Sequence, residues 1–261
     1  MELQRRSADI AKQGLGLVAI SYDSPETLKL FSKSRGITFP LISDPGSAMI
    51  RAYGILNETV ERGSRTDGIP HPGTFIVDRR GRVTARFFED AYQERFTAGT
   101  ILTSIGKGSA VSAITASTPQ LSARIAISDV AAAPGERLSI VADITPARGT
   151  HVYAPGKHTY QVINVTIDPQ PWLKPATTMY PAAEMYHFKP LDEHVEVYAK
   201  SVQLRRDVTV LATREAQQLL AGKTSIAIGG SLDYQACDDK VCFNPARIPF
   251  SFTLQLNRLG G

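Results

Sequence analysis

The chain has 261 residues, room for one large domain or two ordinary ones, and its 43% hydrophobic and 21% charged content is that of a water-soluble globular protein. Net charge is only +4, and the Lys and Arg residues are scattered without a run of five, which argues against a nucleic-acid footprint. No stretch approaches the ~18 uninterrupted apolar residues that span a bilayer, and two cysteines, Cys237 and Cys242, cannot be the disulfide scaffold of a small secreted domain.

The start, "MELQRRSADIAKQG", is a polar amphipathic helix without the apolar core or small-residue cleavage site of a signal peptide. "LGLVAISYD" (15–23) reads as a buried strand. "SPETLKLFSKSRG" (24–36) reads as a helix, with Ser24 as N-cap, Pro25 at its first position and Gly36 past its last turn. "FPLISD" is a short strand and "PGSAMIRAYGI" a short helix. "GTFIVDRRGRVTARFF" (73–88) is two strands about a turn at Arg79–Gly81, and "QERFTAGTILTSIG" is a closing helix. Alternating strands and helices predict an α/β domain over 1–105.

Residues 106–119 are small and polar, a linker composition. Beyond them the pattern has period two. "RLSIVADIT" (137–145), "YQVINVTI" (160–167), "VQLRRDVTV" (202–210), "TSIAIGGSLDY" (224–234) and "IPFSFTLQL" (248–256) predict strands. Only "TREAQQLLAG" (213–222) suits a helix. Residues 120–258 are therefore expected to form an all-β sandwich.

"GLGLVAISYDSPETLKLFSKSRGITFPLISDPGSAMIRAYGI" and "HPGTFIVDRRGRV" resemble the peroxiredoxin and thioredoxin-like redoxin family of AhpC/TSA type over about 100 residues. The resemblance implies a central sheet flanked by helices, with Pro72 as a cis proline facing a catalytic cysteine. That cysteine belongs at the N-terminus of the helix beginning "ELQRR", where helix amides lower a thiol's pKa. Here Met1 stands inside that helix, and residues 1–236 contain no cysteine. Two readings follow: Met1 is an internal methionine of a longer product, whose secretion signal is lost with it, or the domain is a degenerate redoxin scaffold. The first is preferred, because losing a strand costs core packing. Peroxidase chemistry with antioxidant activity is expected only of a longer form carrying the missing cysteine.

Cys237 and Cys242 lie four residues apart in "YQACDDKVCFNP". Zinc would need two more ligands, and no second cysteine pair or H-x3–5-H spacing supplies them, so no metal or cofactor is expected. An inert core pair and a redox disulfide both remain. Facing residues of an antiparallel pair lie ~4.5–5.5 Å apart at Cα, within disulfide range. Such a small loop makes a weak staple, and the loop residues Asp238, Asp239 and Lys240 suggest exposure and exchange.

The stretch "IAIGGSLDYQACDDKVCFNPARIPFSFTL" resembles the periplasmic N-terminal domain of the thiol:disulfide interchange protein DsbD, as do "GTHVYAPG" and "FKPLDEHVEVYAKSVQL". Tyr234, Gln235, Ala236, Cys237, Cys242, Phe243 and Pro245 carry the cysteine motif, with one residue fewer between the cysteines than the best-known member has. The resemblance implies an immunoglobulin-like sandwich and Cys237 and Cys242 as redox-active residues. It also implies an aromatic cap over them, Phe188 or alternatively Tyr186, and Tyr153 and Tyr234 lining the site. Cys242 is expected to attack substrates and Cys237 to resolve, since Asp238 and Asp239 disfavour a thiolate at Cys237. No catalytic base is evident in the sequence.

The expected function is a thiol–disulfide oxidoreductase acting on partner proteins, including a membrane electron donor of DsbD type, in the periplasm or another extracytoplasmic compartment. A cytoplasmic location follows if Met1 is the true start. The alternative is a non-enzymatic partner-binding module with a structural disulfide.

Overall fold

The computed structural model describes residues 2–88, 94–108, 111–188 and 192–257. The chain divides into two compact units, Met1–Lys107 and Gly108–Gly261.

The first unit contains α1 (Glu2–Lys12), β1 (Ala19–Ser21), α2 (Pro25–Arg35), β2 (Leu41–Ser43), α3 (Ala48–Ala52), β3 (Gly73–Val77), β4 (Val83–Phe88), β5 (Arg95–Phe96) and α4 (Ala98–Ser104). The signals around α2 operate as expected. The Ser24 side chain accepts from the Thr27 amide, Pro25 opens the helix, and Gly36 at φ 62 donates to the Ser32 carbonyl. That helix is the crossover that sets β1 parallel to β2, with Ile20 opposite Ile42. The Asp78–Arg82 turn sets β3 antiparallel to β4. Asp78 Oδ1 accepts the Arg80 and Arg82 amides, and Gly81 takes φ 77.

Two expectations for this unit need correction. The resemblance implied one central sheet, whereas β1–β2 and β3–β4 are separate pairs among the described residues. Each pair is organised by its own local connection. The His71–Pro72 bond is trans rather than cis, the intrinsically favoured state of an X–Pro bond, and residues 1–107 hold no cysteine for it to face.

The second unit is β-rich. Its elements are β6 (Ser112–Ser117), β7 (Leu121–Ile127), β8 (Ala131–Ala132), β9 (Glu136–Pro146), β10 (His151–Tyr153), β11 (Asn164–Ile167), β12 (Leu173–Met179), β13 (Glu184–Phe188), β14 (Glu193–Tyr198), β15 (Val202–Val210), α5 (Arg214–Leu220), β16 (Ser225–Tyr234), β17 (Ala236–Cys237) and β18 (Ala246–Leu256). One antiparallel sheet runs β12-β15-β9-β7-β6, and a second runs β11-β16-β18-β8. Ile125, Ile140 and Leu204 of the first share one buried cluster with Val165, Ile228, Leu232 and Phe250 of the second. The two sheets therefore face each other across the core, and strands such as β18 alternate buried and exposed positions, as a half-buried strand must.

Part of the stretch expected to be linker is strand β6, paired with β7 along Ser112–Ser117. Its Ala, Ser and Thr side chains lack the bulk that marks a strand in sequence. The ladder with β7 defines it, helped by Ile114 and Ala116 packing against the core.

A third, smaller sheet, β13-β14-β10-β17, positions the cysteines. Strand β16 reaches it by a break at Gln235 and continues as β17. Gln235 secures the break, accepting from the Gln161 amide at 3.1 Å and donating to the Phe243 carbonyl at 3.2 Å.

Candidate functional site

Cys237 and Cys242 form a disulfide. They also oppose each other as an antiparallel bridge, closed by Asp238 N–H to Val241 O at 3.0 Å and Phe243 N–H to Ala236 O at 2.9 Å. Asp238 organises the intervening turn, its Oδ1 accepting the Lys240 and Val241 amides at 2.8 and 2.7 Å. Those amides hold the Asp238 carboxyl below the usual carboxylate range. The hairpin expected from the spacing is present, and it does not depend on the S–S bond for its hydrogen bonds.

The two cysteines differ in exposure. Cys237 is 0% exposed, whereas Cys242 is an exposed residue. Strand register explains what covers Cys237. Directly opposed residues of an antiparallel pair share a face, as do residues two apart along a strand. His151 pairs with Cys237, Tyr153 lies two residues on and pairs with Val197, and Tyr186 pairs with Val195. All of these lie on one face. Cys237, Tyr153, Val195 and Val197 accordingly form a separate buried cluster, with Tyr160 and Tyr186 packed against it.

Tyr153 is the central member. Its hydroxyl donates toward Cys237 Sγ at 2.9 Å and Cys242 Sγ at 3.3 Å, and its ring stacks on Tyr160 at 4.2 Å and 5°. Burial pushes the Tyr153 phenol well above its ordinary value, with the neighbouring Tyr160 and Glu193 adding to the effect, so it remains a hydrogen-bond donor at any ordinary pH. Tyr160 donates to Glu193 Oε2 at 2.7 Å, and Tyr186 to Asp239 Oδ1 at 2.7 Å. Each carboxylate bond raises its tyrosine's pKa.

His151 is 4% exposed, with its ring 4.4 Å from Tyr186 and edge-on to Tyr153 at 5.6 Å. Burial lowers its pKa, against an upward pull from Asp239 and Asp238. The ring is therefore neutral near pH 7.

Of the residues singled out in the sequence, Cys237, Cys242 and Tyr153 meet at the disulfide. Gln235 fixes the strand leading to it. Tyr234 is buried in the main core, where its hydroxyl donates to Thr118 Oγ1 at 3.0 Å, and Phe243 packs against that same core. Phe188 lies opposite Glu193 and outside the cysteine cluster, which holds Tyr186 instead. The segment following Phe188, residues 189–191, lies outside the described residues. Pro72 is half-buried in the other unit.

Sequence reasoning missed His151, Tyr160 and Glu193. For His151 the signal was available: in "HVY" it is two residues from Tyr153, hence on the same strand face.

The chain's relatives divide along the same two units. Residues 1–86 match the AhpC/TSA family and residues 118–253 match "Thiol:disulfide interchange protein DsbD, N-terminal". Over 74 residues the chain is 43% identical to alkyl hydroperoxide reductase E of Mycobacterium bovis, covering 28% of this chain and 42% of that one. Over 75 residues it is 31% identical to peroxiredoxin Bcp of Escherichia coli K12, covering 29% of this chain and 47% of that one. It thus spans less than half the length of these curated relatives. The N-terminal periplasmic domain of ScsB from Proteus mirabilis superposes with a TM-score of 0.36 at 15% identity, covering 54% of this chain and 49% of that one. The match over residues 118–253 takes in more than half of the chain, which belongs to the family of the N-terminal domain of thiol:disulfide interchange protein DsbD.

Proposed function

We propose that the chain is a thiol–disulfide exchange protein whose working bond is Cys237–Cys242. The observation that carries this reading is the asymmetry of the bond: Cys242 is an exposed residue, and Cys237 is buried beneath a phenol that hydrogen-bonds both sulfurs. Attack on a disulfide is in line with the S–S axis, so an incoming thiolate reaches the accessible sulfur, Cys242. The bond to Cys237 breaks, and Cys237 leaves with the electron pair as a thiolate while the partner becomes a mixed disulfide on Cys242. A second partner thiolate then attacks the partner's own sulfur in that mixed disulfide. The products are an oxidised partner disulfide and a reduced Cys237–Cys242 pair. Run in reverse, Cys242 attacks a partner disulfide and Cys237 resolves it. The Tyr153 hydroxyl serves both directions, because a hydrogen bond to a thiolate is stronger than one to a neutral sulfur.

The partners on this reading are protein thiols and disulfides, among them a membrane electron donor of DsbD type. The compartment is extracytoplasmic, where exposed disulfides persist. The β-rich unit is immunoglobulin-like, two mainly antiparallel sheets packed face to face, with Tyr186 as the cap aromatic packed on the cysteine cluster and Phe188 further out on the same strand. Residues 1–236 contain no cysteine, so the thiol chemistry proposed for these residues rests on Cys237 and Cys242.

The test is trapping. Cys237→Ser should accumulate mixed disulfides with partner proteins at Cys242, and Cys242→Ser should accumulate far fewer. Trapping by neither variant, together with a midpoint potential below roughly −300 mV, would mark a structural bond and overturn the reading.

A further inference from the structure

The proposed exchange leaves one chemical problem unsolved. When the bond opens at Cys242, the departing thiolate is Cys237, a residue with no exposed surface. A buried thiolate is costly unless it is neutralised or paired. Tyr153 can donate a hydrogen bond to it but holds its own proton too tightly to transfer it. The surrounding charges worsen matters, since Asp238 and Asp239 are both on the adjoining loop and Lys240, the one loop cation, points its influence at Asp238.

The geometry points to His151 as the proton-exchange residue for Cys237. It is the direct cross-strand partner of Cys237, so their Cβ atoms lie roughly 4.5–5.5 Å apart on one face of the sheet. That separation allows proton transfer directly or through one water. Its ring is clamped between Tyr186 and Tyr153, which fixes its orientation. The titratable groups around it are Tyr153 on its own strand, Cys237, Asp238 and Asp239 on β17 and its loop, and Tyr186 on β13. With the disulfide closed, burial keeps the imidazole neutral.

The step balances as follows. The partner thiolate forms its bond to Cys242 Sγ, and the Cys242–Cys237 bond breaks with its electron pair on Cys237. His151 takes a proton from solvent and passes it to the Cys237 thiolate, giving a neutral buried thiol and a neutral imidazole again. In the opposite direction, His151 removes the proton from the Cys237 thiol. The thiolate so formed attacks Cys242 in the mixed disulfide and expels the partner thiolate. This role rests on the exchange reading, but the His151–Cys237 coupling can be measured without it.

The experiment uses the full chain in both redox states, reduced with a phosphine. The His151 imidazole is followed by NMR through a pH titration. Its midpoint should lie below 6.5 in both redox states, and in the reduced form alone the imidazole resonances should show a second inflection at the pH where the Cys237 thiol ionises. In His151→Gln and His151→Phe, the rate at which Cys237 resolves a Cys242 mixed disulfide with glutathione should fall about 100-fold at pH 7, and the deficit should shrink as pH rises. A purely structural role would give a deficit independent of pH. Absence of any second inflection in the reduced form would overturn the inference, even if a variant failed to fold. Failure of Cys237→Ser to trap partners, with the second His151 inflection intact, would instead count against the exchange reading alone.

Discussion

Replacing Tyr153 by Phe removes one hydroxyl and little else. The ring stack on Tyr160 at 4.2 Å and the packing on Val195 and Val197 are kept. In the oxidised protein the hydroxyl donates to disulfide sulfurs, which are weak acceptors, so its loss costs about 0.5–1 kcal/mol. When Cys237 ionises in the reduced protein, the hydroxyl donates to its thiolate, a charge-assisted bond of about 1.5–3 kcal/mol. The thiolate therefore loses about 1–2 kcal/mol more than the disulfide does, which raises the Cys237 thiol pKa by about one unit. The exchange rate at neutral pH, which follows the thiolate fraction, should fall about tenfold. The midpoint potential at pH 7 should hardly move, because thiol and disulfide lose hydrogen bonds of similar weakness. The assay is thiolate absorbance through a pH titration of the reduced protein, paired with alkylation rates assigned to Cys237. A Cys237 titration unchanged or lowered in the variant would refute the claim that the hydroxyl stabilises the thiolate.

Four further outcomes are expected. A Cβ on Gly230 would overlap the Thr166 carbonyl and the Phe250 ring, so Gly230→Ala should lower the urea midpoint by an amount equivalent to about 2–3 kcal/mol. Tyr234→Phe loses the buried bond to Thr118, about 1 kcal/mol, and should lower the melting temperature of the β-rich unit by about 2–4 °C without altering exchange rates. Stability should fall as pH drops below 6.5, because the unfolded His151 binds a proton there while the folded one, its pKa lowered, does not; His151→Phe should flatten urea midpoints across that window. Reduction of the disulfide should lower the melting temperature by only about 4–8 °C and leave amide protection at Val241 and Phe243 in place.

The parts of the fold most legible in the sequence carried their own local signals. Helix α2 announced both ends through Ser24, Pro25 and Gly36, and the long strands β9, β15, β16 and β18 alternated cleanly enough to be located within a few residues. The hidden parts lacked such signals. Strand β10 is three residues long, all buried, too short to show a period. Strand β6 is built mostly from Ala, Ser and Thr, with Ile114 its one bulky residue, and reads as linker. For the site, motif resemblance pointed to the cysteines, Tyr153 and Gln235, but register decided the rest. Tyr186 rather than Phe188 joins the cysteine cluster because it pairs with Val195, and His151 enters because it pairs with Cys237. Cross-strand pairing is a non-local fact that one strand's own residues do not carry.

The size of the loop separates a working bond from a staple. Closing six residues removes loop entropy equivalent to about 2 kcal/mol from the unfolded chain, among the smallest gains a disulfide can give. The same turn is already closed by two backbone bonds flanking the cysteines, by Asp238 accepting two amides, and by Gln235 tying Phe243 to Gln161. None of these requires the sulfurs to be joined. Opening the bond therefore changes the charge and protonation of one buried atom while leaving both cysteines in place. A site that must return to its starting geometry after every turnover needs that separation. The hydrogen bonds hold the position, which frees the S–S bond to be broken and remade.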